Sequence, residues 1–344
     1  MYARNKYKRW SLIIFTICFC IYIATHVLQY RMAILDGWNV NTSRDITIYI
    51  SPNISTTVTK PESLCKSKGF LLVIVCSSPM NFEQRVGIRE SWGLDRNISN
   101  SIISIYFLLG LTINSTVQEL IDTENDIYRD IIQENFIDTY NNLTIKSVML
   151  LKLIKDECSE SVKFIMKTDD DTFVNLPNLI STLRNTNTPI LFGKLIRHSK
   201  PIRNYYDKWY VPHYMYPDVV YPNYLSGTAY VMTPDISMKL FETALRVPLL
   251  HLEDVYLTGI CAKIANIKPK MNINFNTLPV KFDRCKFQTL ITSHYISPLE
   301  MRFLYHRVKN ENSGKVCNQQ RLKGNNTKFS LKPRRIPQNA TTFY

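Results

Sequence analysis

Between Trp10 and Tyr30 the chain carries no Asp, Glu, Lys or Arg. Wound as a helix, a stretch of that length rises ~30 Å, the thickness of a bilayer's hydrocarbon core. Arg4, Lys6, Lys8 and Arg9 stand ahead of the gap and Arg31 closes it; basic residues before a span hold that end in the cytoplasm. A small-x-small cleavage site is missing too, since His26-Val27-Leu28-Gln29-Tyr30 occupies its place. This absence argues against a removed signal peptide and for an uncleaved anchor. The expected layout is a cytoplasmic tail over 1–9, one transmembrane signal-anchor helix over 10–30 and a large lumenal remainder.

Other absences narrow the function. No CxxC pair or His/Cys cluster has zinc spacing, which argues against a structural zinc. No nucleic-acid motif accompanies the net charge of +14. Four of its cations precede the anchor, and ten Lys/Arg against the single acid Glu311 crowd the stretch Arg302–Tyr344. Nucleic acid is therefore not an expected partner. Such a basic surface could attract anionic nucleotide-sugars or lipid headgroups, although a solvated tail is the plainer reading. There is no internal repeat, and residues 312–344 lack periodicity.

What is present fits a secretory compartment. Asn-x-Ser/Thr sequons stand at Asn41, Asn53, Asn97, Asn114, Asn142, Asn325 and Asn339, all beyond the anchor. Cys18 and Cys20 fall inside the span, leaving Cys65, Cys76, Cys158, Cys261, Cys285 and Cys317 for disulfides, with the pairing open. Residues 31–64 are polar and Ser/Thr-rich, as in a flexible stem. A domain over 65–310 follows, then a basic tail over 311–344.

The domain opens with Phe70–Val75, a buried-strand run, then a helical period in NFEQRVGIRESWG and a second strand at Ile102–Leu109. ENDIYRDIIQENFIDTY reads as acidic and partly helical. Ile145–Ile154 reads as an amphipathic helix with Lys146, Lys152 and Lys155 off its apolar face. A strand at 162–168, a helix over 177–184, a strand at Ala229–Met232 and helices at Asp235–Leu245 and from Glu253 complete an α/β alternation. That implies a mostly parallel sheet, whose ligands gather at the carboxyl ends of its strands.

Asp169, Asp170 and Asp171 stand at one such end. Clustered carboxylates repel, and a fold that fixes them beside apolar residues generally has a cation to neutralise them. Hard oxygen ligands suit Mg²⁺ or Mn²⁺, which suit a diphosphate. A lone DDD is otherwise a solvated turn. Arg85 and Arg89, four apart on a helix, could grip phosphates or simply face solvent. Tyr221, Tyr224 and Gly227 give rings beside a glycine, suited to a sugar face or to a loop cluster. Glu253-Asp254 is a helix cap or a general base. His294 is a core histidine or, beside the aspartates, a metal ligand.

The ordered set GIRESWG, YFLLG, DIIQENFIDTYNNLTIKS, FIMKTDDDTFVN, KWYVPHYMYP, YPNYLSGTAYV, EDVYLTGICA and SHYISPLEM, running from Cys65 to Tyr305, resembles the β-1,3-galactosyltransferase and β-1,3-N-acetylglucosaminyltransferase family, glycosyltransferase family 31. The resemblance implies a type II Golgi membrane protein with a GT-A fold, a Rossmann-like nucleotide half joined to an acceptor-binding half. It implies inverting, Mn²⁺-dependent transfer from UDP-galactose, or alternatively UDP-N-acetylglucosamine, to a hydroxyl of a glycoprotein or glycolipid glycan. Asp169, Asp171 and His294 are then the metal ligands. Arg85, Arg89, Lys167 and Asp170 lie at the nucleotide-sugar, Asp254 is the base, and Trp209, Tyr221, Tyr224, Gly227 and Glu253 meet the sugar or acceptor. Leu225 and Thr228-Ala229 depart from the family's usual cysteine and Gly-Gly, which bears on donor and acceptor choice. A non-catalytic, glycan-binding or chaperone-like member is the rival, and the oligomeric state is left open.

Overall fold

Leu71 to Cys76 are buried without a break, and a strand that turns neither face to water belongs in the middle of a covered sheet. The structure, a computed structural model, describes residues 2–31, 38, 42–186 and 189–310. They fall into two compact units, one of 1–44 with 198–221 and one of 45–197 with 222–344.

The second unit holds the main sheet. Its strands are β1 (Thr57–Thr59), β2 (Gly69–Cys76), β3 (Asn97–Ile98), β4 (Ser101–Leu111), β5 (Ile131–Ile137), β6 (Val162–Asp169), β8 (Leu191–Ile196), β9 (Tyr224–Met232) and β10 (Lys270–Met271). The order is β1-β5-β4-β2-β6-β9-β8-β10, with β3 beside β4. A small ladder pairs β7 (Phe173–Val174) with β11 (Thr292–Ser293). The helices are α1 (Tyr2–Arg31), α2 (Phe82–Arg89), α3 (Ser115–Tyr128), α4 (Leu143–Leu153), α5 (Leu176–Arg184), α6 (Pro234–Ala244), α7 (Ala262–Ile264), α8 (Arg284–Phe287) and α9 (Pro298–Asn310). Leu71, Val73, Phe107, Phe164 and Met166 of the sheet share one core with Trp92, Leu179, Met301 and Leu304.

β5, β4, β2 and β6 run parallel, as the strand–helix alternation implies. The sheet as a whole is mixed, not mostly parallel. β9 lies antiparallel to both β6 and β8, because the chain reaches it through the excursion 197–223 and not through a crossover helix. This reversal positions the site. Cys76 and Asp169 are in register at the ends of β2 and β6, and the start of β9 arrives at the same rim.

The acidic stretch is partly helical, as expected: Glu124 to Tyr128 close α3, and β5 follows with Gln133 and Glu134 buried. One local expectation is corrected. α4 is not amphipathic: Lys146 and Lys152 are buried with the rest of it, in ion pairs with Asp138 and Asp156. Within the segment read as stem, Ile46, Ile50 and Leu64 are buried and β1 adds antiparallel to β5. Among the cysteines, Cys65 and Cys158 form a disulfide, Cys285 is disulfide-bonded, and Cys76 and Cys261 are buried free thiols. Cys317 and the tail 311–344 lie outside the described residues.

The segment expected as anchor lies on α1. Leu12, Ile13, Ile14, Phe15, Ile17 and Phe19 are all exposed. Among the described residues no helix is long and apolar enough to cross a membrane. Asn53, Asn97 and Asn114 are exposed, whereas the Asn142 amide nitrogen donates to the Ile137 carbonyl at 2.9 Å. Asn41, Asn325 and Asn339 lie outside the described residues.

Candidate active site

β6 ends on Asp169, and a turn closed by the Thr172 amide donating to the Asp169 carbonyl (3.3 Å) leads into β7. β11 then pairs antiparallel with β7, Thr292 opposite Val174 and Ser293 opposite Phe173. The Ile296 amide donates to the Asp171 carbonyl at 2.9 Å. This ladder brings two stretches far apart in the chain together, and it sets His294 Nε2 3.1 Å from Asp171 Oδ1. Single donor atoms of Asp169, Asp171 and His294 lie within 4.8 Å of one another. His294 is buried, its ring packs on Tyr295 at 3.9 Å, and its Nδ1 has no hydrogen-bond partner. Two carboxylates and one imidazole make a fitting donor set for a first-row divalent cation such as Mn²⁺.

The middle aspartate faces elsewhere. Asp170 is buried and its Oδ2 accepts from Ser77 Oγ at 2.6 Å and Asn81 Nδ2 at 3.0 Å. Burial pushes its carboxyl up to about 6 against the pull of those two donors.

Lys167, two residues before Asp169 and so on the same face of β6, donates to Asp169 Oδ1 at 2.8 Å and to the Gly227 carbonyl at 2.6 Å. It also faces Glu253 Oε2 at 3.5 Å. Glu253 Oε1 accepts from the Tyr230 hydroxyl at 2.6 Å. Asp254 caps the π-helical turn Val255–Cys261, its Oδ1 accepting from the Val255 amide at 2.8 Å. Its Oδ2 accepts from the Gly227 amide at 3.1 Å. Burial first, then the charge of Glu253, pushes the Asp254 carboxyl up to about 6. Gly227 lets the backbone approach closely here: a Cβ would stand 3.2 Å from Glu253 Oε2 and 3.3 Å from Asp254 Cβ, a tight contact on both acids.

The structure thus joins Asp169, Asp171, His294, Lys167, Gly227, Glu253 and Asp254 at one rim of the second unit. Tyr224 opens β9 beside them. Trp209 and Tyr221 belong to the first unit, where Lys208 stands over the half-exposed Trp209 ring at 4.6 Å and Tyr221 is buried against Tyr216.

Arg85 and Arg89 occupy a different setting. Arg85 is 1% exposed, with Nε and Nη2 on the two Glu124 oxygens at 2.8 and 2.6 Å. Its remaining donors go to Ser77 Oγ and to the Ser78 and Pro79 carbonyls. Arg89 is paired with Asp130 and Glu124, with Tyr128 3.9 Å and Phe107 4.7 Å from its guanidinium. The Arg85 guanidinium reaches the aspartate turn indirectly, through Ser77 Oγ, which also donates to Asp170. The residues that the sequence reading did not assign to a site are Ser77, Asn81, Glu124, Lys146 and Tyr230. Lys146 donates to the Ser77 carbonyl at 2.6 Å and to Asp138 at 2.8 Å, fixing the loop after β2.

A family model described as Galactosyltransferase matches residues 83–272. The chain is similar to "Beta-1,3-galactosyltransferase 1" of Mus musculus and of Homo sapiens, 37% identical over 261 residues, 75% of this chain and 78% of theirs. It is also similar to "Beta-1,3-galactosyltransferase 2" of Homo sapiens, 37% identical over 266 residues, 74% of this chain and 63% of that one. Among solved structures, the WbbM bifunctional glycosyltransferase aligns with TM-score 0.39 and 12% identity over 72% of this chain and 50% of that chain.

Proposed function

Because this chain belongs to the galactosyltransferase family, we propose that it is an inverting β-1,3-galactosyltransferase that moves galactose from UDP-galactose to a hydroxyl of a glycan acceptor. UDP-N-acetylglucosamine is the alternative donor, because Leu225 and Thr228-Ala229, which flank Gly227 on β9, depart from the residues usual in the family. The observation that carries the reading is the pairing of a metal-competent Asp169–Asp171–His294 cluster with a separate carboxylate, Asp254, held across Gly227.

Asp169, Asp171 and His294 would hold Mn²⁺, which when bound neutralises charge growing on the UDP leaving group. Asp254 takes the proton of the acceptor hydroxyl as that oxygen bonds to the sugar's anomeric carbon. The bond from that carbon to the diphosphate oxygen breaks in the same displacement, its electron pair leaving with UDP and the configuration inverting. Glu253, fixed by Tyr230 and Lys167, orients the acceptor. The Rossmann-like half and the acceptor half of a GT-A fold correspond in this reading to the parallel strands and to the β9 side of the rim. Trp209 and Tyr221 are assigned to acceptor contacts, and Asp170 to the donor side. Residues 10–30 anchor the protein, type II, in the Golgi membrane with the catalytic domain lumenal.

The test is a donor and acceptor screen with the detergent-solubilised full chain, in Mn²⁺ or in chelator. A β-1,3-linked galactosyl product should form with Mn²⁺ and vanish with chelator, and Asp171→Ala should lose at least 100-fold in rate. A chain that transfers no sugar from any UDP donor, or transfers equally well in chelator, ends this reading.

A further inference from the structure

An ammonium group has three N–H donors and no acceptor. At Lys167 those donors face Asp169 Oδ1 at 2.8 Å, the Gly227 carbonyl at 2.6 Å and Glu253 Oε2 at 3.5 Å, and the residue is 5% exposed. No donor remains directed at a bound diphosphate. The expectation that Lys167 grips the nucleotide-sugar does not follow from this placement.

The placement points instead to a link between the two halves of the chemistry. Gly227 is held from both sides: its carbonyl accepts from Lys167 and its amide donates to Asp254 Oδ2. Glu253 is held from two more: Lys167 on one oxygen, Tyr230 on the other. The Lys167 ammonium is thus the charged tie between the aspartate turn and the Gly227–Glu253–Asp254 group, beside the neutral ties made by the Thr168 and Thr172 hydroxyls, which donate to the Thr228 carbonyl at 3.1 and 3.3 Å. We propose that Lys167 is a positioning residue that ties the metal-binding end of β6 to the base, through Gly227 and Glu253, and screens Asp254 from the negative charge beside it. The inference deepens the transferase reading and rests on it.

The charged and titratable groups facing Asp254 are few. Glu253 precedes it on its own segment, Lys167 reaches it from β6 and Tyr230 from β9. Glu253 and Lys167 act in opposite directions on the Asp254 carboxyl. Removing the cation leaves the Glu253 charge unscreened, so Asp254 binds its proton more tightly and needs a higher pH to act as base. Removing the Glu253 charge does the reverse.

The experiment is the pH dependence of kcat/KM for the full chain and for Lys167→Met, Lys167→Arg and Glu253→Gln, with UDP–Mn²⁺ binding followed by calorimetry as the control for folding and donor contact. Expected for Lys167→Met are UDP binding within a few-fold of wild type, kcat down at least tenfold, and an acid limb moved up from about pH 6 toward 7. Lys167→Arg should keep the limb in place by keeping the charge, and Glu253→Gln should move it down. A Lys167→Met protein whose limb stays put, or whose loss lies in UDP binding and KM alone, overturns the proposal. If the wild type has no acid limb, the base assignment fails and takes this proposal with it. A wild-type limb unmoved in Lys167→Met overturns only the role of Lys167.

Discussion

At the scale of single residues, one carboxyl does two jobs that usually compete. Asp254 caps a helical turn, which favours its charged form through the Val255 and Gly227 amides. Burial and Glu253 oppose that and set the group at about 6, above its ordinary 3.8. A general base must be ionised to act, so the rate is full above that value and falls as pH drops through it. The acid limb of kcat/KM should lie near pH 6. Asp254→Asn should abolish the limb and lower kcat by ~10²–10⁴-fold, the usual worth of a positioned base, with UDP affinity by calorimetry unchanged. A near-normal rate in Asp254→Asn would remove it from the chemistry. The carboxylates and the late histidine were readable from the sequence because their types and order carry chemistry. Ser77, Asn81 and Tyr230 were not, since hydroxyls and amides are common everywhere and only the fold sets these three against Asp170 and Glu253.

At the scale of elements, polar residues inside the core are what the sequence hid. The period-2 signal of β5 is broken by Gln133 and Glu134, which are buried among partners no local pattern reveals: Gln118 and the Gly110 carbonyl for Gln133, and the Thr57 hydroxyl for Glu134 Oε1, while Glu134 Oε2 has no hydrogen-bond partner. α4 misled for the same reason, its lysines being buried counterions instead of a solvated face. The hydrophobic strands and the parallel core were legible because continuous apolar runs admit few other places. The arginines of α2 were ambiguous, and their geometry yields a discriminating test. Arg85 is buried on Glu124, so Arg85→Ala leaves an uncompensated carboxylate and should cost about 3–5 kcal/mol in urea unfolding. A donor-binding arginine would instead raise KM at unchanged stability. Glu134 offers a second test. Burial raises its carboxyl to about 7 from an ordinary 4.5. The folded state therefore binds a proton that the unfolded chain has lost, and stability is full below the ordinary value and declines as pH rises through about 7. Glu134→Gln should remove that decline, gaining up to about 3 kcal/mol over wild type at pH 8 and little at pH 5. An equal difference at both pH values would show that the group does not titrate where its burial places it.

At the scale of the whole molecule, topology decides whether the rim can meet its substrates at all. α1 exposes Leu12, Ile13, Ile14, Phe15, Ile17 and Phe19, the side chains that the proposed anchor over 10–30 would bury in lipid. With Arg4, Lys6, Lys8 and Arg9 ahead of it, the domain should lie on the far side of the membrane from that end, and sugar attachment reads out this side. An asparagine accepts a glycan through its amide nitrogen, so that nitrogen must be free and reachable. Asn53, Asn97 and Asn114 are exposed, and the Asn114 cap uses only its oxygen, on the Thr116 and Val117 amides. The Asn142 nitrogen is committed to Ile137. In microsomes, the full chain should resist alkaline extraction, be shielded from added protease and shift in size on glycosidase treatment. Asn53→Gln, Asn97→Gln and Asn114→Gln should each remove one step of that shift, and Asn142→Gln none. A chain extracted by alkali, or one carrying no glycan and digested from outside, would place the domain in the cytoplasm and leave the rim without a lumenal acceptor.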